Sequence, residues 1–450
     1  MSPYYGVFVQ DNIKLASNLS MNAGLRYEFQ HLQAASVSNP QFPRTAQVPE
    51  DKNNFAPRLA FAWQPREKLV IRTSYGIYYG VIPVQTEAVA RTQNGALQSV
   101  RVFQGSGAPG APQYPQVLSA VPGPQTPLPG AKIAVFSPDF VNPYIQQVNL
   151  EVEREIGANF SVSSGWLYTK GTRLRSNEDL NLFPPGTRTI QVNDTARNFS
   201  GLFTAPYFGG PASRPFPFFD QIDEFRFDNN SVYHAFFVQL NKRYSRGLQF
   251  LFNYTVSKLI DRGQAPGNQF TCCTSDNPFD PGGERGLGLR DQRNRFNFAS
   301  VWDLPGVATQ NALARNVLRG WRLNSILHAG SGRPLTPTVA GDAGGDVNGD
   351  GIRGDRAPFF GRNTIIFPGN AAVDLALHRV FSKEGKTFDI GLEAFNVFNR
   401  ANYLRPPTDY YIMTNVPGGI TRLDGPIPSF DKPTTALPSR QLQVILRFSF

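Results

Sequence analysis

The sequence lacks several features that would mark other classes of protein, beginning with long apolar runs. Its 450 residues contain no apolar run of about eighteen residues, which excludes a transmembrane helix. The opening residues, MSPYYGVFVQD, have no charged segment followed by an apolar core, so we predict no signal peptide there. The 2 cysteines, Cys272 and Cys273, are adjacent, which excludes a CxxC zinc or redox motif.

Catalytic signatures are also missing. The 4 histidines are His31, His234, His328 and His378. None of them forms an H-E-x-x-H pair or another zinc-ligand cluster. There is no G-x-S-x-G nucleophile elbow, and the glycine-rich stretch 280–293 lacks the G-x-G-x-x-G spacing of a phosphate-binding loop. We therefore expect that the chain is not an enzyme.

Charged residues are scarce, and basic ones are in excess. Asp, Glu, Lys and Arg make up 17% of the chain, below the roughly 25% of a typical soluble domain, and the formal net charge is +10. The arginines are scattered singly, often at alternate positions of apolar segments, unlike the clustered footprint of a nucleic-acid-binding protein. We expect no nucleic-acid partner and favour ionic pairs inside a pore.

Alternating segments are what the sequence has in abundance. The last ten residues, QLQVILRFSF, place an apolar side chain at every second position from Leu442 to Phe450, and Arg447 lies on the other face. The same pattern recurs in about thirteen segments, each close to the ~9–11 residues that a tilted strand needs to cross a bilayer. The segments are 4–11, 19–28, 54–63, 69–79, 144–153, 160–169, 233–243, 248–257, 294–304, 321–329, 371–381, 387–396 and 440–450.

The connections between these segments alternate in length. The short ones are 12–18, 64–68, 156–159, 245–247, 305–320 and 382–386. The long ones, rich in Gly, Pro, Asn and Asp, are 30–53, 80–141, 170–230, 258–293, 333–370 and 400–437. Outer-membrane barrels keep short turns on the periplasmic side and long loops outside. The sequence therefore predicts an all-β protein, a transmembrane antiparallel up-and-down β-barrel with long extracellular loops and short periplasmic turns.

Charged residues at the alternate positions are predicted to face the barrel lumen, because an arginine near the bilayer midplane costs roughly 2–4 kcal/mol. They are Arg26, Glu28, Arg58, Arg72, Glu151, Glu153, Asp303, Arg322, Glu393 and Arg447. Two roles are open, a paired ladder lining the barrel or a path for substrate, and we favour the ladder. Aromatic residues near strand ends suit a bilayer interface. They are Tyr27, Trp63, Tyr79, Tyr168, Tyr254 and Trp302.

The loop 342–358, DAGGDVNGDGIRGDRAP, contains a D-x-N-x-D-G arrangement that is typical of calcium loops. Alternate residues on a tight turn bring oxygens together, and the glycine permits the bend. The candidate ligands are Asp346, Asn348 and Asp350. Ala357 stands where a bidentate glutamate is expected, and Asp342 or Asp355 are the substitutes. A flexible acidic turn without metal is the alternative, and we favour it; no other cofactor is predicted.

Several stretches together resemble the barrel of a TonB-dependent outer-membrane transporter of the Oar-like group. In the first part they are YYGVFVQDNIKLASNLSMNAGLRYEF, NNFAPRLAFAW and LVIRTSYGIYYG. Later they are SVYHAFFVQLNKRYSRGLQFLFNYTVSKLID, LRDQRNRFNFASVWDLP and FDIGLEAFNVFNRANY. The likeness covers essentially the whole chain, and the order of the stretches is more diagnostic than any one of them.

This resemblance implies a barrel of about 22 strands with a plugged lumen, so about thirteen strands are a part of it. We expect residues 1–450 to be the C-terminal portion of such a barrel, with the plug and N-terminal domains absent. The implied function is energised uptake, or export, of a substrate too large for porins, in the outer membrane of a Gram-negative bacterium. The alternative is a passive porin or an adhesive barrel that acts through its loops.

The resemblance also implies partners. They are the lipid bilayer, the TonB complex through the missing plug region, the barrel-assembly machinery and a transported substrate of unknown identity. The assembly machinery recognises an amphipathic terminal strand ending in phenylalanine, and here Phe448 and Phe450 stand in those positions. A soluble propeller is excluded, since the sequence shows no repeat of ~40–50 residues.

Overall fold

The computed structural model describes residues 2–100, 130–157, 159–210, 213–263, 275–306, 319–383 and 385–450. Within these ranges the chain forms 22 strands, one α-helix and three short 3-10 helices. Helices long and apolar enough to cross a membrane are not found among the described residues. The adjacent pair Cys272 and Cys273 lies outside the described residues.

The elements follow one another along the chain in this order. The first are β1 (Tyr4–Ala16), β2 (Leu19–Gln30), a 3-10 turn (Pro43–Ala46), β3 (Phe55–Arg66), β4 (Leu69–Tyr79), α1 (Val84–Thr92), β5 (Ala131–Phe136), β6 (Tyr144–Glu155), β7 (Phe160–Asp179), β8 (Gly186–Asp194) and β9 (Phe199–Tyr207). Next come β10 (Phe219–Ser245), β11 (Leu248–Asp261), a 3-10 turn (Pro281–Glu284), β12 (Gly286–Leu287), β13 (Asn294–Asp303), β14 (Trp321–Gly330), β15 (Pro334–Leu335) and β16 (Thr338–Gly341). The last are a 3-10 turn (Asp342–Gly344), β17 (Ile365–Ile366), β18 (Asn370–Lys383), β19 (Lys386–Phe395), β20 (Asp409–Thr414), β21 (Arg422–Gly425) and β22 (Gln441–Ser449).

Thirteen long strands form one antiparallel sheet, the main sheet. Its order is β1-β2-β3-β4-β6-β7-β10-β11-β13-β14-β18-β19-β22, so each strand pairs with the next long strand along the chain. These are the thirteen strands that the alternating pattern predicts, and the predicted all-β, antiparallel up-and-down architecture is confirmed. The sheet is open in this structure, with β1 and β22 as its two edges.

Two predicted connections are wrong because strands are longer than the pattern indicates. β1 continues to Ala16, so the predicted turn 12–18 is reduced to residues 17–18. The first residues of the predicted turn, Asn12–Lys14, belong to β1 and pair with β2. β7 reaches Asp179 and β10 starts at Phe219, so much of the predicted loop 170–230 is a hydrogen-bonded ribbon. Outside the bilayer a ribbon packs against loops on either face, which removes the apolar-polar alternation on which the prediction rests.

The register divides the side chains of the main sheet between two faces, because directly opposite residues in an antiparallel pair lie on the same face. One face is apolar, and its side chains remain exposed; Val444, for example, keeps 67% of its surface. An apolar surface that extends across thirteen strands is stable only against lipid. Exposed residues on this face are Val7, Val9, Leu25, Leu59, Trp166, Phe236, Leu392, Val444 and Leu446.

The long connections fold into a layer of their own. Strands from three of them form a five-stranded sheet, the loop sheet, in the order β16-β20-β21-β8-β9. β5 pairs in parallel with the extension of β10, and α1 packs against β5. The buried apolar residues concentrate in this layer rather than in the main sheet. Members of the core of the loop sheet are Ile190, Val192, Val339, Tyr411, Met413 and Leu423.

Candidate functional site

The ten charged residues predicted to face the lumen lie together on the polar face of the main sheet. Following the directly opposite pairs from strand to strand places all of them on this one face. Two examples of the register are Arg72 opposite Glu151 and Asp303 opposite Arg322. None of these ten residues therefore lies on the apolar face.

Several of these charges form cross-strand ion pairs. On β4 and β6, Arg72 Nη1 lies 2.6 Å from Glu153 Oε2 and 3.9 Å from Glu151 Oε1. On β13 and β14, Arg322 Nε donates to Asp303 Oδ1 at 2.7 Å. In both cases the partners lie on neighbouring strands of the main sheet, so the pairs reinforce the register of those strands.

The last strands carry a second set of polar contacts. Glu393 Oε1 lies 3.4 Å from His378 Nε2, and His378 Nδ1 lies 3.3 Å from Asp389 Oδ1. Arg447 stands directly opposite Asp389 in the pairing of β19 with β22. A histidine between two carboxylates, with an arginine opposite one of them, forms a connected ladder of polar side chains at this edge.

Towards the other edge of the sheet, Arg26 and Arg58 also contact side chains nearby. Arg26 pairs with Glu28 two residues along the same strand. The guanidinium carbon of Arg58 lies 4.5 Å from the centre of the Tyr78 ring, a cation–π contact. Arg26 keeps 29% and Glu28 11% of their side-chain surface, so this ion pair is partly buried. Their arrangement suits the ladder that lines a barrel, while a role in substrate passage stays a prediction.

The six aromatic residues assigned to a bilayer interface all project from the apolar face, as the same register shows. Two of them contact a phenylalanine or tyrosine ring on the neighbouring strand. The rings of Tyr27 and Phe55 lie 5.0 Å apart, and those of Tyr79 and Tyr144 lie 5.4 Å apart. Both pairs lie at the ends of strands next to long connections, where an interfacial aromatic band is expected.

The acidic loop 342–358 brings three carboxylates together. The carboxylate oxygens of Asp346, Asp350 and Asp355 lie within 4.8 Å of one another. Asp355 was predicted as a substitute ligand and lies in the cluster. Asp342 accepts a hydrogen bond from the backbone nitrogen of Asn415 at 2.8 Å and lies outside the cluster.

Backbone N–H groups of the same loop already bind these carboxylates. The nitrogens of Val347 and Asn348 donate to Asp355 Oδ2 at 2.7 and 2.8 Å. The amide oxygen of Asn348 accepts from the nitrogen of Asp350 at 2.9 Å, and its amide nitrogen donates to the carbonyl oxygen of Asp276 at 2.9 Å. Gly349 donates to Asp346 Oδ1 at 2.6 Å, which completes a tight turn around the acidic groups.

Burial raises the pKa values of the carboxyl groups in this cluster. Desolvation raises the pKa of Asp350 to about 7, and the nearby carboxylate of Asp346 adds to the rise. Desolvation also raises the pKa of Asp346, and it raises the pKa of Asp355 well above its usual range. A hard divalent cation prefers such oxygen donors. The carboxylates in this loop are suitable ligands for calcium, and calcium binding here stays a prediction.

Sequence reasoning missed a cavity of about 620 Å³. It lies where β13, β14, β18 and β22 meet the long connections, and its lining includes Arg290, Arg333 and Arg405. These arginines are far apart in the sequence, so no local motif contains them. The available signal is that arginines follow or precede several strands on the side of the long connections.

These features together define a class of protein. The main sheet has one apolar face suited to lipid and one polar face, short turns at one end and a folded layer of loops at the other. An outer-membrane β-barrel has this organisation. The sequence model of the family described as an outer membrane beta barrel domain matches residues 1–359, and the chain belongs to that family. The predicted location in the outer membrane of a Gram-negative bacterium is confirmed.

Solved structures with a similar fold are outer-membrane receptors and transporters. The ferric enterobactin receptor from Pseudomonas aeruginosa has a TM-score of 0.52 and 13% identity over 98% of this chain and 44% of that one. The FrpB iron transporter from Neisseria meningitidis has a TM-score of 0.50 and 10% identity over 99% of this chain and 45% of that one. The chain thus spans less than half the length of these structures, and its fold resembles that of TonB-dependent receptors. A search of curated protein sequences gives no match.

Proposed function

We propose that the chain forms a large part of the barrel wall of a TonB-dependent outer-membrane transporter, of the Oar-like group, which takes up or exports a solute too large for porins. The supporting observation is the width of the main sheet. The thirteen strands extend from Tyr4 to Ser449, and the match to the ferric enterobactin receptor covers 98% of this chain but only 44% of that one. A sheet of this kind fits a section of a large, plugged barrel better than a complete small one.

The direction of the edge strands supports a larger barrel. Successive strands of the main sheet are antiparallel, so β1 and β22, the first and thirteenth, run in the same direction. Pairing them directly would introduce a parallel pair, whereas single-chain bacterial barrels contain an even number of antiparallel strands. An odd number of further strands between β22 and β1 would make every neighbouring pair in the barrel antiparallel and the total number of strands even. We infer that such strands complete the barrel.

Partners follow from the proposal. A plug within the barrel would contact the polar face and connect it to TonB, and the terminal strand with Phe448 and Phe450 would engage the assembly machinery. Phe448 keeps 58% of its surface and Phe450 95%, so both are accessible for recognition. The chain performs no covalent chemistry in this scheme, because its residues bind, line and seal a path.

Ion conductance tests the proposal against a passive porin. The whole polypeptide that carries these residues is purified from outer membranes and inserted into planar bilayers. A plugged transporter is expected to be closed at rest and to open when urea unfolds the plug. It is also expected to bind the periplasmic domain of TonB. Stable open channels without urea, together with no TonB binding, would favour the porin and contradict energised transport.

A further inference from the structure

The arginine cavity, as we call the 620 Å³ cavity described above, is built from segments that are distant in sequence. All of them join strands of the main sheet to the long connections. Leu289–Gln292 precedes β13, Ser331–Pro334 follows β14, and Phe367–Asn370 reaches the start of β18. Tyr403–Arg405 and Leu437 come from the connection between β19 and β22. The cavity therefore lies at the extracellular mouth of the barrel wall.

The charge of this cavity is positive and uncompensated. Arg290, Arg333 and Arg405 line it, and no carboxylate does. In the described part of the chain, none of these three side chains forms a hydrogen bond or an ion pair. Guanidinium groups match carboxylates and phosphates through paired N–H donors, so a shared anion would neutralise their mutual repulsion.

The surrounding segments increase the positive potential. Residues 289–295, 331–334, 399–405 and 437–440 contain seven arginines and a single carboxylate. That carboxylate, Asp291, is buried; it accepts a hydrogen bond from the nitrogen of Leu259 at 2.6 Å and lies 3.8 Å from Arg293. The segments that line and flank the cavity therefore carry an excess of positive charge, which favours an anion.

The cavity adjoins the polar face of the sheet rather than the lipid face. Gly330 lies opposite Arg295 and Asn370 on that face. A side chain at Gly330 would collide with Gln292 Nε2 and would lie 3.1 Å from Asn370 Oδ1, so these polar groups occupy the space above it. Because both groups belong to the cavity lining, a ligand there would come from the aqueous side.

We propose that the arginine cavity binds a water-soluble solute that carries two or more anionic oxygen groups, carboxylates or phosphates. A cavity of 620 Å³ falls within the ~300–1,000 Å³ of small-molecule sites. Tyr403, which keeps 45% of its surface, and Phe367 add an apolar wall for the uncharged part of the solute. This inference rests on the proposed function and names the class of solute that the transporter receives.

Titration calorimetry on the whole polypeptide in detergent tests the inference, with citrate and inositol hexakisphosphate as probes and glucose as the neutral control. The variant is Arg333→Gln with Arg405→Gln. The matched control is Arg246→Gln, an exposed arginine in the two-residue turn between β10 and β11. We expect at least one of the two anions to bind and the double variant to weaken that binding tenfold or more. The control variant should bind the anion as tightly as the wild type, and glucose should not bind.

Two further arms make the result decisive. Replacing the same two arginines by lysine keeps the charge and should restore most of the affinity, which separates binding from misfolding. Lipid A micelles test the other source of phosphate. Binding of lipid A but of neither soluble anion, or equal anion affinity in the wild type and the glutamine variant, would overturn the inference. Anion binding that depends on these arginines in a protein that does not bind TonB would overturn only the proposed function.

Discussion

At the scale of single residues, the membrane imposes a rule that the sequence displays directly. A side chain on one face contacts lipid, and its immediate neighbour contacts the polar interior. This rule made the ten charged positions predictable one by one, since each falls at the same phase of the alternation as the others. Asp355 was predictable only as a substitute ligand, because its approach to Asp346 depends on how the loop folds.

Arginine substitutions on the last strand test the two faces. Val444 lies on the apolar face opposite Leu392, and Gln443 lies on the polar face opposite Glu393. Val444→Arg is expected to cost roughly 2–4 kcal/mol in lipid and to reduce the heat-modifiable, folded fraction in the outer membrane. Gln443→Arg gains Glu393 as a partner and should assemble normally. Equal assembly of the two variants would contradict the assignment of the faces.

At the scale of elements, prediction succeeded where the bilayer dictates length and period and failed where loops pack on each other. β8 pairs with β21, and Asn193 Nδ2 donates to Asp424 Oδ1 at 2.8 Å across 231 residues of sequence. A local sequence pattern cannot predict a pairing between strands that are so far apart in the sequence. The arginine cavity was missed for the same reason, since its lining comes from several connections.

The acidic loop should make stability depend on pH in a defined direction. The pKa of Asp350 rises from an ordinary value of 3.8 to about 7 on burial. The folded loop therefore binds a proton more tightly than the unfolded chain, and its stability is expected to increase as the pH falls from about 7 to about 4. Asp350→Asn should reduce this dependence without abolishing it, because burial also raises the pKa values of Asp346 and Asp355. Hydrogen exchange of residues 342–358 at several pH values measures it.

The acidic loop should also respond to calcium, at a pH above the range in which protonation stabilises it. Asp350, whose pKa is about 7, loses its proton as the pH rises above 7, and a bound divalent cation would offset the repulsion among the carboxylates. If the loop binds calcium, millimolar calcium at pH 8 should slow exchange in residues 342–358 of the wild type but not of Asp350→Asn. Magnesium at the same ionic strength is the control. Identical exchange with and without calcium would leave the acidic turn without metal, the alternative favoured on sequence.

At the scale of the whole molecule, the open edges of the main sheet decide how the barrel closes. Backbone groups left unpaired in lipid cost several kcal/mol each, so β1 and β22 both require partners. A second copy inserted in the same orientation offers β22 to β1 as a parallel neighbour, because the two edges run in the same direction. Copies of this chain alone therefore do not close an antiparallel barrel.

Hydrogen exchange along β1 tests this conclusion. In residues 1–450 expressed alone and refolded in detergent, amides of Tyr4–Ala16 should exchange quickly, because one side of β1 has no partner. The internal control is β11, which pairs with β10 and β13 and should stay protected. In the whole polypeptide the amides of β1 should become as slow as those of β11, because an additional antiparallel strand pairs with the free edge. Protection of β1 in residues 1–450 alone would mean that copies of the chain pair edge to edge, and the inferred strands between β22 and β1 would then be unnecessary.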